Sequence, residues 1–229
     1  VRWETRFSSP ELYQKSVKGY YRLISGVDQA VGRILSLLET LNLLDNTVIL
    51  FTSDNGFFLG EKGLAGKWLM YEESIRTPLL IWDPRLPEDL RGKRRPEMTL
   101  NVDIAPTLLA LAGVDVPLSM QGRDLVPLTT GKSIPWRTEW FYDHLFVHQR
   151  IPKTEGIRTE RWKYIRYIDQ DPIVEELYDL QSDSLEERNL VGSRKHLGTL
   201  DKMRARHQAW IGSFDAWRLD TPVPWEEPE

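Results

Sequence analysis

Cysteine is absent from the 229 residues. That excludes a disulfide framework and a cysteine nucleophile within the chain, and says nothing firm about its redox compartment. No apolar run approaches the ~20 residues needed to span a bilayer. There is no initiator methionine and no signal peptide, and Val1-Arg2-Trp3 reads as mid-chain. Excess positive charge is also missing. A net charge of −4 gives no reason to expect nucleic acid as a partner. Internal repeats and low-complexity tracts do not occur. What remains, at 41% hydrophobic and 28% charged, is the composition of a soluble globular protein. Its length is enough for one core, or one core with a small satellite domain.

The most informative stretch runs from residue 47 to 83. Thr47-Val48-Ile49-Leu50-Phe51 is an apolar, β-branched run and predicts a buried strand. It stops at Thr52-Ser53-Asp54-Asn55-Gly56. Small polar residues at a strand's carboxyl edge are where open α/β sheets hold their ligands. Asn55-Gly56 is a turn signal, so Asp54 and Asn55 are expected to project from that edge. A carboxylate beside a carboxamide offers hard oxygen ligands, which suit Ca²⁺ or Mg²⁺ rather than Zn²⁺. Taken alone, Asp-Asn-Gly after a strand is also an ordinary hairpin or βα turn. Gly60, Gly63 and Gly66 then give a loop able to return Lys67 over the edge, and Leu79-Leu80-Ile81-Trp82 predicts a second buried strand.

Upstream, Ser9 is a candidate N-cap with Pro10 at the first helical position. Apolar residues from Leu12 to Leu38 keep helical spacing, so one helix is expected over about 10–41, covering one face of the sheet. Asp28 lies off the apolar stripe and reads as a solvated charge. Downstream, residues 85–96 are polar and basic, and read as an exposed loop rather than a guide for anionic substrate. Met98 to Val102 predicts a short strand. Asp103 is expected to cap a helix through Ala112 that Gly113 ends.

Prolines and glycines between Pro117 and Pro135 place a boundary near 130. Beyond it, aromatic runs at 136–147, 155–168 and 176–180 predict a small antiparallel sheet. The clearest is the period-2 alternation of Trp162-Lys163-Tyr164-Ile165-Arg166-Tyr167. Leu197, Leu200, Met203, His207, Trp210 and Ile211 predict a helix packed on it.

Together these segments resemble the sulfatase family of the alkaline-phosphatase superfamily. TSDNG, GEKG, GK and YEESIRTP match the family's S-D-N-G, G-E-H-G, G-K, Y-E and R-x-P. The helix with Tyr20, Ile24, Asp28, Val31, Gly32 and Arg33 matches a further element. So do Leu100 to Leu125, the R-T-x-R-x-K-Y-I pattern at 158–165, and the E-L-Y-D-L…N-L pattern at 176–190. The resemblance covers about residues 15 to 190. It implies that Asp54 and Asn55 are Ca²⁺ ligands and that Lys67 binds the sulfate group. It gives Arg76 a supporting role and leaves Asp103 out of the metal site. Lys62 departs from the pattern, standing where many members have histidine.

The family attacks sulfur with the hydrated aldehyde of a formylglycine made from C/S-x-P-x-R, while calcium polarises the sulfate oxygens. Further metal ligands come from an earlier Asp-Asp strand. Neither element is read anywhere in this chain; Ser8-Ser9-Pro10 is followed by Glu11 and reads as a helix cap. The chain is therefore expected to be the carboxyl-terminal part of a longer sulfatase. It would be inactive alone, with the missing amino-terminal part of the same protein as its partner. The resemblance also implies an extracytoplasmic location.

The four histidines are less telling. His144 and His148 stand four apart, yet the alternation around them suggests strand or loop rather than a helical metal pair. His144 reads either as a partly buried structural residue or as a substrate-binding residue that touches the sugar. His196 and His207 read as structural or solvated. The tryptophans read first as core, with Trp68, next to Lys67, a candidate for a pocket rim.

The expected fold is α/β. Residues 1–130 would form part of an alkaline-phosphatase-like sheet flanked by helices, and 131–229 a small α+β subdomain with an antiparallel sheet. The expected activity is sulfuric ester hydrolysis on a sulfated carbohydrate. Two alternatives stand beside it. One is a phosphonate or phosphodiester hydrolase of the same superfamily. The other is a non-catalytic domain that binds carbohydrate or protein, which the intact Asp54, Asn55 and Lys67 argue against.

Overall fold

The computed structural model describes residues 2–218, with side chains through 214. The chain divides into two compact units: Val1–Lys67 with Glu72–Trp136, and Trp68–Tyr71 with Arg137–Glu229. Among the described residues no helix is long and apolar enough to cross a membrane.

The first unit opens with α1 (Arg2–Arg6) and α2 (Pro10–Thr40). Ser9 caps α2 as its sequence suggests, with Oγ accepting the Leu12 N–H at 3.2 Å. Strand β1 (Ile49–Thr52) follows, then β2 (Phe58–Leu59), β3 (Ala65–Gly66), α3 (Glu72–Ile75), β4 (Leu79–Trp82), α4 (Ile104–Leu111) and α5 (Val126–Thr129). β1 pairs antiparallel with β4, Ile49 opposite Trp82 and Thr52 opposite Leu79, while β2 pairs with β3.

Four expectations need correcting here. The strands at 47–51 and 79–82 are not fully buried, because Phe51, Leu80 and Trp82 remain exposed. Nor does α2 bury any side chain; Tyr21, Ile24, Val27, Ile34 and Leu37 all face solvent. The cause is common to both. The described sheets of this unit are two-stranded ribbons, too narrow to cover a 31-residue helix or to be covered on both faces. The third correction concerns 98–102, which forms no strand; a 3₁₀ turn occupies Asn101–Asp103. Its apolar alternation has no neighbouring strand to hydrogen-bond with, and an extended segment without a partner is not a sheet.

The fourth is Asp103. It stands at the start of α4 but makes no capping bond to it. Fully buried, it accepts the Leu100 N–H and the Arg123 N–H, each at 2.8 Å. Thr107 completes the knot, donating to the Asp103 carbonyl at 2.6 Å and accepting the Leu125 N–H at 2.9 Å. A buried carboxylate is tolerated because these donors replace its water. Two chain segments are thereby tied to α4.

The second unit is a meander of β5 (Glu139–His144), β6 (Thr154–Thr159), β7 (Trp162–Tyr167) and β8 (Val174–Asp179), backed by α6 (Leu197–Arg218). Ile157, Tyr164 and Leu177 stand opposite one another on successive strands. With Leu200 and Met203 of α6 they form the buried core. Each such side chain contributes roughly 1.5–3 kcal/mol by leaving water. The next residues along β7 are buried on the other face: Lys163 is fully enclosed and meets Glu186 at 2.6 Å.

Candidate functional site

The site is built at the carboxyl end of β1. Thr52 Oγ1 donates to the Pro78 carbonyl at 2.8 Å and holds the strand's end against the chain entering β4. Ser53 Oγ donates to the Asn55 carbonyl at 2.9 Å, and Asp54 Oδ1 accepts the Asn55 N–H at 2.9 Å. These local bonds are the turn chemistry of Asx and Ser residues, and they turn the backbone out of the strand. Gly56 is required at the exit: a Cβ there would lie 2.0 Å from the Glu73 carbonyl oxygen of α3. Asn101 straps the turn from a distance, its Nδ2 donating to the carbonyls of Asp54 at 2.9 Å and Ser53 at 3.2 Å.

The chain then makes the short β2–β3 hairpin and returns. Gly60, Gly63 and Gly66 all have positive φ, as does Lys62 at 54°. The return delivers Lys67, whose Nζ donates to Asn55 Oδ1 at 2.7 Å and lies 3.6 Å from Asp54 Oδ2. Asp54, Asn55 and Lys67 are thus brought together within one unit, as the glycine spacing predicts. The Asp54 carboxylate is open, its side chain 81% exposed. Lys62 is exposed on the hairpin, and Arg76 pairs with Glu72 at 3.9 Å across one helical turn.

His144 belongs to the other unit. It ends β5 and lies edge-on to Trp68, ring centroids 5.3 Å apart. Phe146 stacks on the same indole at 5.8 Å. Trp68, the residue after Lys67, has φ +101°, a conformation that costs a non-glycine residue energy. Its carbonyl accepts the Tyr142 hydroxyl at 2.8 Å. Burial pushes that phenol up to about 12, so it remains a donor at neutral pH.

Two oxygen donors, Asp54 and Asn55, suit calcium in kind, but calcium takes ~6–8 oxygens. Among the described residues no group of three or more His, Cys, Asp or Glu side chains is arranged to hold a metal. The residues present therefore fit such an ion only as part of its shell.

Two features escaped the sequence reading. Asn101 lies far along the chain from the turn it straps, and nothing local marks it. The bare spacing S-x-P-x-R does occur once, at Ser133-Ile134-Pro135-Trp136-Arg137. It follows the S-D-N-G element, whereas the family order puts the precursor before it. Its tryptophan is engaged in structure: Nε1 donates to the Met98 carbonyl at 2.7 Å and Arg123 covers the ring.

Comparison with known proteins bears on all of this. Residues 60–211 match the family described as N-sulphoglucosamine sulphohydrolase, C-terminal, and residues 2–114 match the family Sulfatase. An N-acetylglucosamine-6-O-sulfatase of Bacteroides thetaiotaomicron is 38% identical over 80% of this chain and 33% of its own length. A choline-sulfatase of Rhizobium meliloti is 35% identical over 90% of this chain and 40% of its own. Among solved structures, a protein in complex with its substrate D-glucosamine-2-N,6-O-disulfate superposes with TM-score 0.81. It is 33% identical, over 94% of this chain and 43% of that one. The phosphonate monoester hydrolase of Agrobacterium radiobacter superposes with TM-score 0.75 at 28% identity, over 87% of this chain and 43% of that one. The chain thus spans well under half the length of these relatives. Its fold is that of the alkaline-phosphatase-like α/β proteins, and the chain belongs to the sulfatase family.

Proposed function

We propose that the protein to which this chain contributes hydrolyses a sulfate ester, and that its substrate is a sulfated carbohydrate. The observation that carries the reading is the meeting of Lys67 with Asp54 and Asn55 at the end of β1. One cation beside two oxygen ligands suits an oxyanion held between a metal and an ammonium group. In this reading Asp54 and Asn55 contribute two ligands to Ca²⁺. Lys67 neutralises the sulfate and stabilises the negative charge that develops on the ester oxygen as it leaves. Calcium, when bound, supplies electrophilic polarisation of the sulfate oxygens, and a formylglycine in the amino-terminal part supplies the nucleophile.

The remaining assignments belong to the same reading. His144 and Trp68 bind the sugar: an indole face and an imidazole edge suit a pyranose ring, and the backbone of Trp68 is held in a costly conformation. Residues 1–130 act as the carboxyl-terminal part of the catalytic domain and 131–229 as its subdomain. The exposed apolar side chains of α2 and of the β1–β4 ribbon support an amino-terminal part of the same protein as their cover. An extracytoplasmic location goes with the same activity.

Likeness to a phosphonate monoester hydrolase supports a second reading, in which the ester is a phosphonate. One assay separates the two. The longer protein is offered N-acetylglucosamine 6-sulfate and an aryl phosphonate monoester, beside its Lys67→Ala variant. Faster, Lys67-dependent release of sulfate supports the first reading, and faster phosphonate hydrolysis overturns it. The 229-residue chain alone is expected to turn over neither substrate.

A further inference from the structure

A cleft of about 430 Å³ opens among β7, β8 and α6, lined by Tyr164, Arg166, Glu175, Arg204 and His207 with others. It lies wholly within the second unit, and Asp54, Asn55, Lys67 and His144 take no part in it. Its size is that of small-ligand sites.

Arg166 stands in register between Glu155 of β6 and Glu175 of β8. Glu175 is already committed. Arg204 binds it through Nε at 3.0 Å and through Nη2, and the Tyr164 hydroxyl donates to it as well. Glu155 faces Nε2 of His207 at 3.2 Å. Among the described residues the half-buried guanidinium of Arg166 has no hydrogen bond or ion pair. Its charge acts on the neighbouring Glu175, but its rigid fork of donors makes no hydrogen bond at the cleft wall.

His207 is fully buried, and neither of its ring nitrogens has a hydrogen-bond partner, although the Glu155 carboxylate lies near Nε2. Burial lowers its pKa to about 4, with the charge of Arg166 adding to the effect, so the ring is neutral at pH 7. In a neutral imidazole one nitrogen carries the proton and the other accepts. The Glu155 carboxylate opposite Nε2 favours the proton there, which leaves Nδ1 as a bare acceptor. A buried acceptor without a donor is costly, and such atoms mark places where a ligand or water belongs.

We propose that this cleft binds one acidic sugar unit, its oxyanion on the Arg166 guanidinium and a ring hydroxyl donating to His207 Nδ1. The two needs have to be met together. An inorganic sulfate or phosphate would satisfy Arg166 but brings no sure donor for Nδ1. A neutral sugar would satisfy Nδ1 but leaves Arg166 without its anion. An oxyanion on a hydroxylated ring answers both, and the oxyanion is either a uronate carboxylate or a sulfate ester. The inference stands on this cleft alone and does not require the proposed reaction.

Titration calorimetry of the purified protein with D-glucuronate, D-glucose 6-sulfate, D-glucose and inorganic sulfate tests it. At least one acidic sugar is expected to bind saturably with a dissociation constant on the order of 1 mM, and which one does so identifies the anion. Glucose and inorganic sulfate are expected to bind about tenfold or more weakly. Arg166→Gln should weaken the acidic sugar about tenfold or more, since a charge-assisted bond is lost. The titrations are repeated on a Lys67→Ala protein, which removes the sulfate contact proposed at β1, and the acidic-sugar binding that persists there belongs to this cleft. The proposal is overturned if neither acidic sugar saturates, if inorganic sulfate binds as tightly as they do, or if a folded Arg166→Gln protein binds like the parent.

Discussion

Nζ of Lys67 donates to Oδ1 of Asn55 at 2.7 Å, twelve residues away across the glycine-rich hairpin. The same ammonium lies 3.6 Å from the Asp54 carboxylate. The protein's own cation therefore sits on both oxygens assigned to a metal. Any divalent ion taking Asn55 Oδ1 must displace Lys67 from it and then bear its repulsion.

Calcium binding follows from that competition. Two protein oxygens are far from the ~6–8 that calcium prefers, so the 229-residue chain should bind it weakly. Lys67→Ala frees Asn55 Oδ1 and removes a like charge, so it should tighten binding several-fold; Asp54→Ala should abolish it. Calorimetry reads both. Submicromolar affinity that survives Asp54→Ala would move the metal elsewhere.

The proposed reaction sets the opposite demand on the same residue. Under the proposed reaction, in a protein that completes the site, Lys67→Ala should lower kcat/KM for a sulfated sugar by about 10²–10³, the usual cost of one preorganised donor. Lys62 lies exposed on the hairpin at φ 54° and should matter clearly less. If Lys62→Ala is the more damaged enzyme, the sulfate-binding lysine is Lys62 and the register of the loop is wrong.

Local signals were legible where physics is local. Ser9 with Pro10 marks the start of α2, Asn55-Gly56 the turn, and three glycines the return of Lys67. Alternation over Trp162 to Tyr167 marks β7. It does not say that both faces of β7 are covered, so the burial of Lys163 could not be read from it. The run at 98–102 alternates just as well but finds no partner, because strand pairing is decided by distant chain. Asn101 and Asp103 act by bonds to Asp54 and Arg123, contacts that no spacing announces. His207 keeps helical spacing like its neighbours, yet only the assembled sheet encloses it.

The pair of Lys163 and Glu186 carries a prediction about stability. Both side chains are fully buried, and they meet at 2.6 Å. Removing one partner takes the close opposite charge away from the other inside the protein, which typically costs about 3–5 kcal/mol. Glu186→Gln and Lys163→Met should each fall in or near that range by urea denaturation. The double variant should lose clearly less than the sum of the two, because no charge is left unpaired. Additive losses would show that the two ions do not depend on each other.

His207 sets the response to acid. Its pKa in the folded protein is lowered to about 4, against about 6.5 for an unperturbed histidine, chiefly because burial disfavours the imidazolium. Between those two values the unfolded chain binds a proton that the folded chain refuses. Stability therefore rises with pH across this window, and the contribution of His207 is fully present above about 6.5. It is lost as pH falls toward 4, where the folded state begins to take up the proton as well. Unfolding free energies measured by urea at several pH values should show a slope approaching one proton from this residue. Phenylalanine has a similar shape and no titration, so His207→Phe should flatten the slope by that amount. It also removes the acceptor Nδ1 and the partner of Glu155, so its stability at pH 7 decides little; the change of slope carries the test. A slope that is the same in both proteins would mean that another group governs acid sensitivity between pH 4 and 6.5.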